Sequence, residues 1–90
     1  MGRPKIKYNI AYCPPYSTFR PGGDVQCECV DITPEEIESL RLKNIKNLDQ
    51  TQAAKKMGIS QSTFQRVLTS AYKKVSLALT EGRELRIVKK

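Results

Sequence analysis

The sequence predicts a mainly α domain, a helix-turn-helix inside a three-helix core, with a short β and loop segment before it and a short strand after it. Three observations predict this. Helix-capping signals recur at Thr33, Asp49 and Ser60; apolar residues return at three- and four-residue steps behind them; and strict alternation of apolar residues occurs only towards the chain ends. Ninety residues make one small domain, divided at the first cap into 1–32 (an arm with short strands and loop) and 33–90 (the helix-turn-helix domain with a C-terminal extension).

Ile6, Tyr8, Ile10 and Tyr12 alternate as on a half-buried strand. Pro14, Pro15, Pro21, Gly22 and Gly23 then mark loop and turn. Gln26 to Ile32 offers a further short strand with Cys27, Cys29 and Asp31 on one face, and Leu85 and Ile87 alternate near the C-terminus. The two end strands can pair with each other or with a partner chain, because an open edge leaves backbone groups unsatisfied.

Thr33-Pro34-Glu35-Glu36 supplies a hydroxyl N-cap, proline at the first helical position and a glutamate placed to complete a capping box. The expected core face is Ile37, Leu40 and Ile45, with Leu42 on a flank, while Glu35, Glu36 and Glu38 suit the positive end of the helix dipole and Asn47 suits a left-handed stop. Asp49-Gln50-Thr51-Gln52 repeats the capping logic and opens a short helix to Met57, which Gly58 ends. Ser60 caps a third helix, closed by Gly82, whose apolar residues are Phe64, Val67, Leu68, Ala71, Val75, Ala78 and Leu79. At 1.5 Å per residue it runs for about 30 Å.

Charge narrows the function. Sixteen Lys and Arg against nine Asp and Glu leave a formal +7, which favours anionic partners. The excess lies in the second half: residues 49–90 hold nine bases and three acids, whereas residues 1–48 hold seven and six. Histidine is absent, which removes the commonest general base and metal ligand. With no nucleophile beside an evident base and no phosphate-cradling glycine loop, the chain is not expected to be an enzyme. No signal-peptide or membrane-span pattern is present, so a cytoplasmic protein without membrane association is expected. Cys13, Cys27 and Cys29 are too few for a structural zinc site of four ligands; they read as buried small hydrophobes, with a metal or redox role as the alternative. No other cofactor is expected.

Two helices joined by a short glycine turn, the second of them basic, form the arrangement that places a helix in the DNA major groove. Ala53 and Ala54 allow close helix crossing, Gly58 permits the turn, and Met57, Ile59, Phe64 and Val67 fill the wedge. The outward face of the second helix is polar and free of acid. On it Gln61, Ser62, Gln65 and Arg66 are the candidates for reading bases, Arg66 towards guanine and a glutamine towards adenine. Ser60, Thr63, Thr69, Lys55, Lys56, Lys73 and Lys74 are candidates for phosphate contact. Arg3 and Lys5, in the basic arm Gly2-Arg3-Pro4-Lys5, are candidates for the minor groove.

Across nearly its whole length the sequence resembles a small, functionally uncharacterised prokaryotic family of predicted DNA-binding proteins, whose helical half is similar to region 4 of primary sigma factors. The resemblance rests on Arg3-Pro4, on Pro14 with Phe19, Pro21 and Gly23, on Thr33, Glu36, Glu38 and Leu40 to Leu42, and on the block from Gln52 to Gly58. It continues through Ser60, Thr63-Phe64, Arg66, Ala71, Lys74-Val75, Ala78-Leu79, Glu81-Gly82 and Leu85 to Ile87. It implies an extended or winged helix-turn-helix regulator and a link to promoter elements or RNA polymerase. The chain departs from the family pattern at Asn47, where glycine is more familiar, and at Asp49 and Ser62, where serine and proline are. Asn and Asp suit a turn and a cap, so the departure at Ser62 bears on target preference.

The leading expectation is a transcriptional regulator that binds double-stranded DNA as a homodimer, since one such motif reads only a few base pairs. The alternatives are a sigma-like module gripping RNA polymerase or another acidic partner, and a thiol- or metal-responsive sensor.

Overall fold

The computed structural model describes residues 10, 17–23 and 26–88. The expected strand from Ile6 to Tyr12, apart from Ile10, lies outside the described residues, as do Arg3, Lys5 and Cys13. Three helices and a three-stranded sheet make up the rest: β1 (Thr18–Phe19), β2 (Cys29–Ile32), α1 (Pro34–Leu40), α2 (Gln50–Met57), α3 (Gln61–Glu81) and β3 (Glu84–Ile87).

Thr33 caps α1 as its sequence demands. Its Oγ1 accepts from the Glu36 N–H at 3.2 Å, and Glu36 Oε1 accepts from the Thr33 N–H at 2.9 Å. After Leu40 the helix widens into a π turn over Arg41–Ile45, where the Lys46 N–H donates five residues back to the Arg41 carbonyl at 2.9 Å. The wider turn shifts the phase of the side chains. Leu42 therefore enters the core at 3% exposure and Ile45 is turned out to 72%, the reverse of the expectation from a 3.6-residue period. Asn47 adopts φ 59°, the left-handed stop expected of it.

Glu35, Glu36 and Glu38 are buried at the start of α1, which packs along α3. Lys74 Nζ lies 2.9 Å from Glu36 Oε1, and Ser70 Oγ donates to Glu36 Oε2. Arg41 grips Glu38 with a fork, Nε to Oε1 and Nη2 to Oε2, both 2.9 Å.

In α2, Asp49 and Gln52 complete the second capping box. Gly58 leaves the helix at φ 70°, and the Ile59 N–H bonds back to the Ala54 carbonyl at 3.0 Å, satisfying an otherwise orphaned helix end. The core gathers Leu42, Ala53, Ala54, Met57, Phe64 and Leu68, with Leu40, Leu48 and Ile59 packed against it. Leu79, counted by its spacing among the apolar residues of α3, is 79% exposed. Its neighbour Ala78 is the one buried there, and one residue along a helix turns the side chain by about 100°.

β3 is the centre of the sheet. It pairs antiparallel with β1, Phe19 opposite Leu85, and parallel with β2, Ile32 opposite Ile87. The stretch read as loop thus contributes β1, and β2 begins only at Cys29. Cys29 and Asp31 face out while Ile32 is buried, as the alternation predicts. All three helices form the crossover between β2 and β3, since parallel neighbours cannot be joined by a tight turn.

Two stability predictions follow. Leu42→Ala is expected to cost about 2–5 kcal/mol and Ile45→Ala less than about 0.5 kcal/mol by urea unfolding, whereas a regular helix through this segment gives the opposite order. Burial pushes the Glu36 carboxyl up, but Lys74, Ser70 and the Thr33 N–H together outweigh it and hold its pKa below the ordinary value. A group depressed in this way binds protons more tightly in the unfolded chain. Its contribution is complete above about pH 5 and is lost as pH falls through the folded-state value. Glu36→Gln is expected to lower the urea midpoint at pH 7 and to flatten its decline below about pH 4. Parallel acid profiles for the two proteins contradict this.

Candidate nucleic-acid interface

A helix brings residues four, then three, then four positions apart to one stripe. On α3 this places Ser62, Arg66, Thr69 and Lys73 together, and all four are exposed. The opposite stripe of Phe64, Leu68, Ala71 and Ala78 is buried, so packing fixes which way the polar stripe points. Gln61 and Gln65, also exposed, flank it on the first two turns.

The remaining candidates separate by their partners. Ser60 caps α3 by accepting from the Thr63 N–H at 3.1 Å, and its hydroxyl also meets Thr63 Oγ1 at 2.9 Å. Both are engaged in holding the helix start, and Thr63 is half-buried. Lys55 and Lys56 are exposed in the last turn of α2, beside the glycine turn, where their charge also suits the negative helix end. Lys74 departs from this set: it reaches across to Glu36 and sits with α1. Lys73, one residue earlier, remains on the exposed stripe.

Arginine pairing distinguishes one residue. Arg20 lies 3.7 Å from Glu84, Arg41 grips Glu38, Arg83 bridges Glu28 and Glu81, and Arg86 meets Cys29 at 3.2 Å. Arg66 alone of the described arginines has no hydrogen-bond or ion-pair partner among the described residues. From residue 50 to residue 80 the sequence contains no Asp or Glu, so the bases of α2 and α3 have no acid on their own helices before Glu81, the last residue of α3.

One contact was not foreseeable from spacing. Gln50, at the start of α2, donates from Nε2 to Gln65 Oε1, and Gln65 Nε2 donates to Thr69 Oγ1 at 3.1 Å. The two glutamines are fifteen residues apart, and nothing in the linear sequence links them.

The cysteines lie elsewhere. Cys27 is half-buried and 3.9 Å from Arg20 Nη2, and Cys29 is exposed on β2, so neither is the buried small hydrophobe expected. Among the described residues no three of His, Cys, Asp and Glu gather into a group able to hold a metal ion. Two open grooves, of about 330 and 250 Å³, meet at Pro21, Gly82 and Arg83 at the far end of α3, away from the polar stripe. No described helix is long and apolar enough to cross a membrane.

Comparison with known proteins gives a family and no named activity. The family model described as "Protein of unknown function DUF134" matches residues 1–90. A UPF0251 protein of Clostridium botulinum strain Hall is 43% identical over 89 residues, covering 97% of this chain and 57% of the relative. A UPF0251 protein of Desulforudis audaxviator is likewise 43% identical, with 97% and 58% covered. The chain thus spans somewhat more than half the length of these curated relatives. No solved structure matches it.

Proposed function

The chain belongs to the DUF134 family, and from that footing we propose that it is a DNA-binding regulator in which α2, the glycine turn and α3 act as a helix-turn-helix. The first turns of α3 enter the major groove. Arg66 carries the reading. It is exposed, unpaired among the described residues and centred on an acid-free stripe, as a side chain that bonds guanine O6 and N7 must be. Lys55, Lys56 and Lys73, all exposed on the same two helices, contact the phosphates on either side. A second copy extends the site, because one motif reads only a few base pairs.

The same chemistry sets the test. Sites are first selected from random duplex DNA, and binding is then measured by fluorescence anisotropy at several salt concentrations. Arg66→Ala is expected to cost about 1–3 kcal/mol on the selected site and to relax preference at one base pair. Lys73→Ala is expected to weaken selected and random duplexes alike and to reduce the salt slope by about one. Equal losses on every duplex for both variants contradict base reading. Binding without salt dependence, or to an acidic protein but no duplex, favours a protein-gripping module instead.

A further inference from the structure

We infer that Gln50 is a positioning residue which sets the amide orientation of Gln65 and thereby makes Gln65 select adenine; this rests on the DNA-binding reading above. Gln65 is exposed on α3, beside the stripe centred on Arg66, whereas Gln50 is half-buried in the first turn of α2. Its Nε2 donates to Gln65 Oε1, and Gln65 Nε2 donates to Thr69 Oγ1.

Counting donors and acceptors shows what remains. A primary amide has two acceptor lone pairs on oxygen and two protons on nitrogen. Gln50 occupies one lone pair and Thr69 takes one proton. One acceptor and one donor are left on Gln65, the complement of the N6–H donor and N7 acceptor that adenine presents in the major groove. The relay also opposes independent rotation of an exposed glutamine amide, which otherwise has to be frozen out on binding. Gln50 is the donor of the pair in the structure, and half-rotation of Gln65 alone would set N–H against N–H, so the two amides can turn only together.

This assignment gives opposite consequences for two substitutions at one position. Gln50→Glu replaces the donor by an acceptor. The Gln65 amide then turns its Nε2 towards the new carboxylate, while the Thr69 hydroxyl, able to donate as well as accept, serves Oε1. The edge offered to DNA is inverted, and preference at that base pair moves from adenine towards bases with an acceptor there, guanine O6 or thymine O4. Gln50→Lys keeps a donor and is expected to keep adenine. The added charges shift affinity for all duplexes in opposite directions, so the readout is base preference at one position rather than affinity.

The test has two arms on the full chain. In the free protein, 15N relaxation of the side-chain amides is expected to show Gln65 more ordered than Gln61, and Gln50→Ala to bring Gln65 to the mobility of Gln61. On selected duplexes carrying each base in turn, Gln50→Ala is expected to lower discrimination at one base pair by about fivefold or more, and Gln65→Ala to remove it with no further loss in the double variant. Unchanged Gln65 mobility, or unchanged base preference in both Gln50→Ala and Gln50→Glu while Arg66→Ala still relaxes its own position, overturns this inference alone. Absence of any sequence preference in the unaltered protein overturns the DNA reading, and the base-selecting role with it, although the coupling of the two amides stays visible in the spectrum.

Discussion

The fold depends on the close crossing of α2 and α3. Ala53 and Ala54 are buried to within 2% of complete, and Phe64 and Met57 entirely so. A larger side chain at either alanine would push the two helices apart, since packed helix axes generally lie about 8–10 Å from one another. Burying Phe64 and Met57 contributes about 1.5–3 kcal/mol each, a large share of what so small a domain can gather. With the crossing held by these contacts and the turn held by Gly58 in its left-handed conformation, α3 has one orientation available. Everything its outer face can do follows from that.

Electrostatics then separates the surface into two kinds. Acids on α1 are buried, and Glu36 and Glu38 are matched by Lys74 and Arg41. Burying those carboxylates without cations would be costly, so the pairing is a condition of packing α1 onto α3 rather than an added source of stability. Its by-product is that two bases and the core acids drop out of the external field. Lys55, Lys56, Arg66 and Lys73 remain on the outside, with no acid between residues 50 and 80 to offset them.

Caps and turns were legible in the sequence because they are decided within four residues. Thr33 with Glu36, Asp49 with Gln52, Ser60, Asn47, Gly58 and Gly82 all do what their chemistry predicts. Features decided between distant residues were not legible. The π turn that exchanges Leu42 for Ile45 has no local signal in the sequence. Glu36 and Lys74 are 38 residues apart, so Lys74 reads as one more surface base until the tertiary contact is known. β1 has only two residues and takes its character from β3. For the candidate site, the exposed stripe could be drawn from helical period and absence of acid, whereas the Gln50 contact required the fold.

The two ends of α3 consequently serve different ends. Near its C-terminus Arg83 is bridged to Glu28 and Glu81, and Arg20 lies against Glu84, so cations there are neutralised within a few ångströms while the helix is tied to the sheet. Near its N-terminus no carboxylate lies within the first turn, the cap is the neutral Ser60, and Arg66 stands unpaired among the described residues. The helix dipole adds partial positive charge at that same end. Fixed dipole and side-chain charge thus reinforce one another over the first turns, and the electrostatic attraction for anions is concentrated at that end of the helix. The buried acids of α1 make this asymmetry possible, because the same carboxylates left on the surface beside α3 would cancel it.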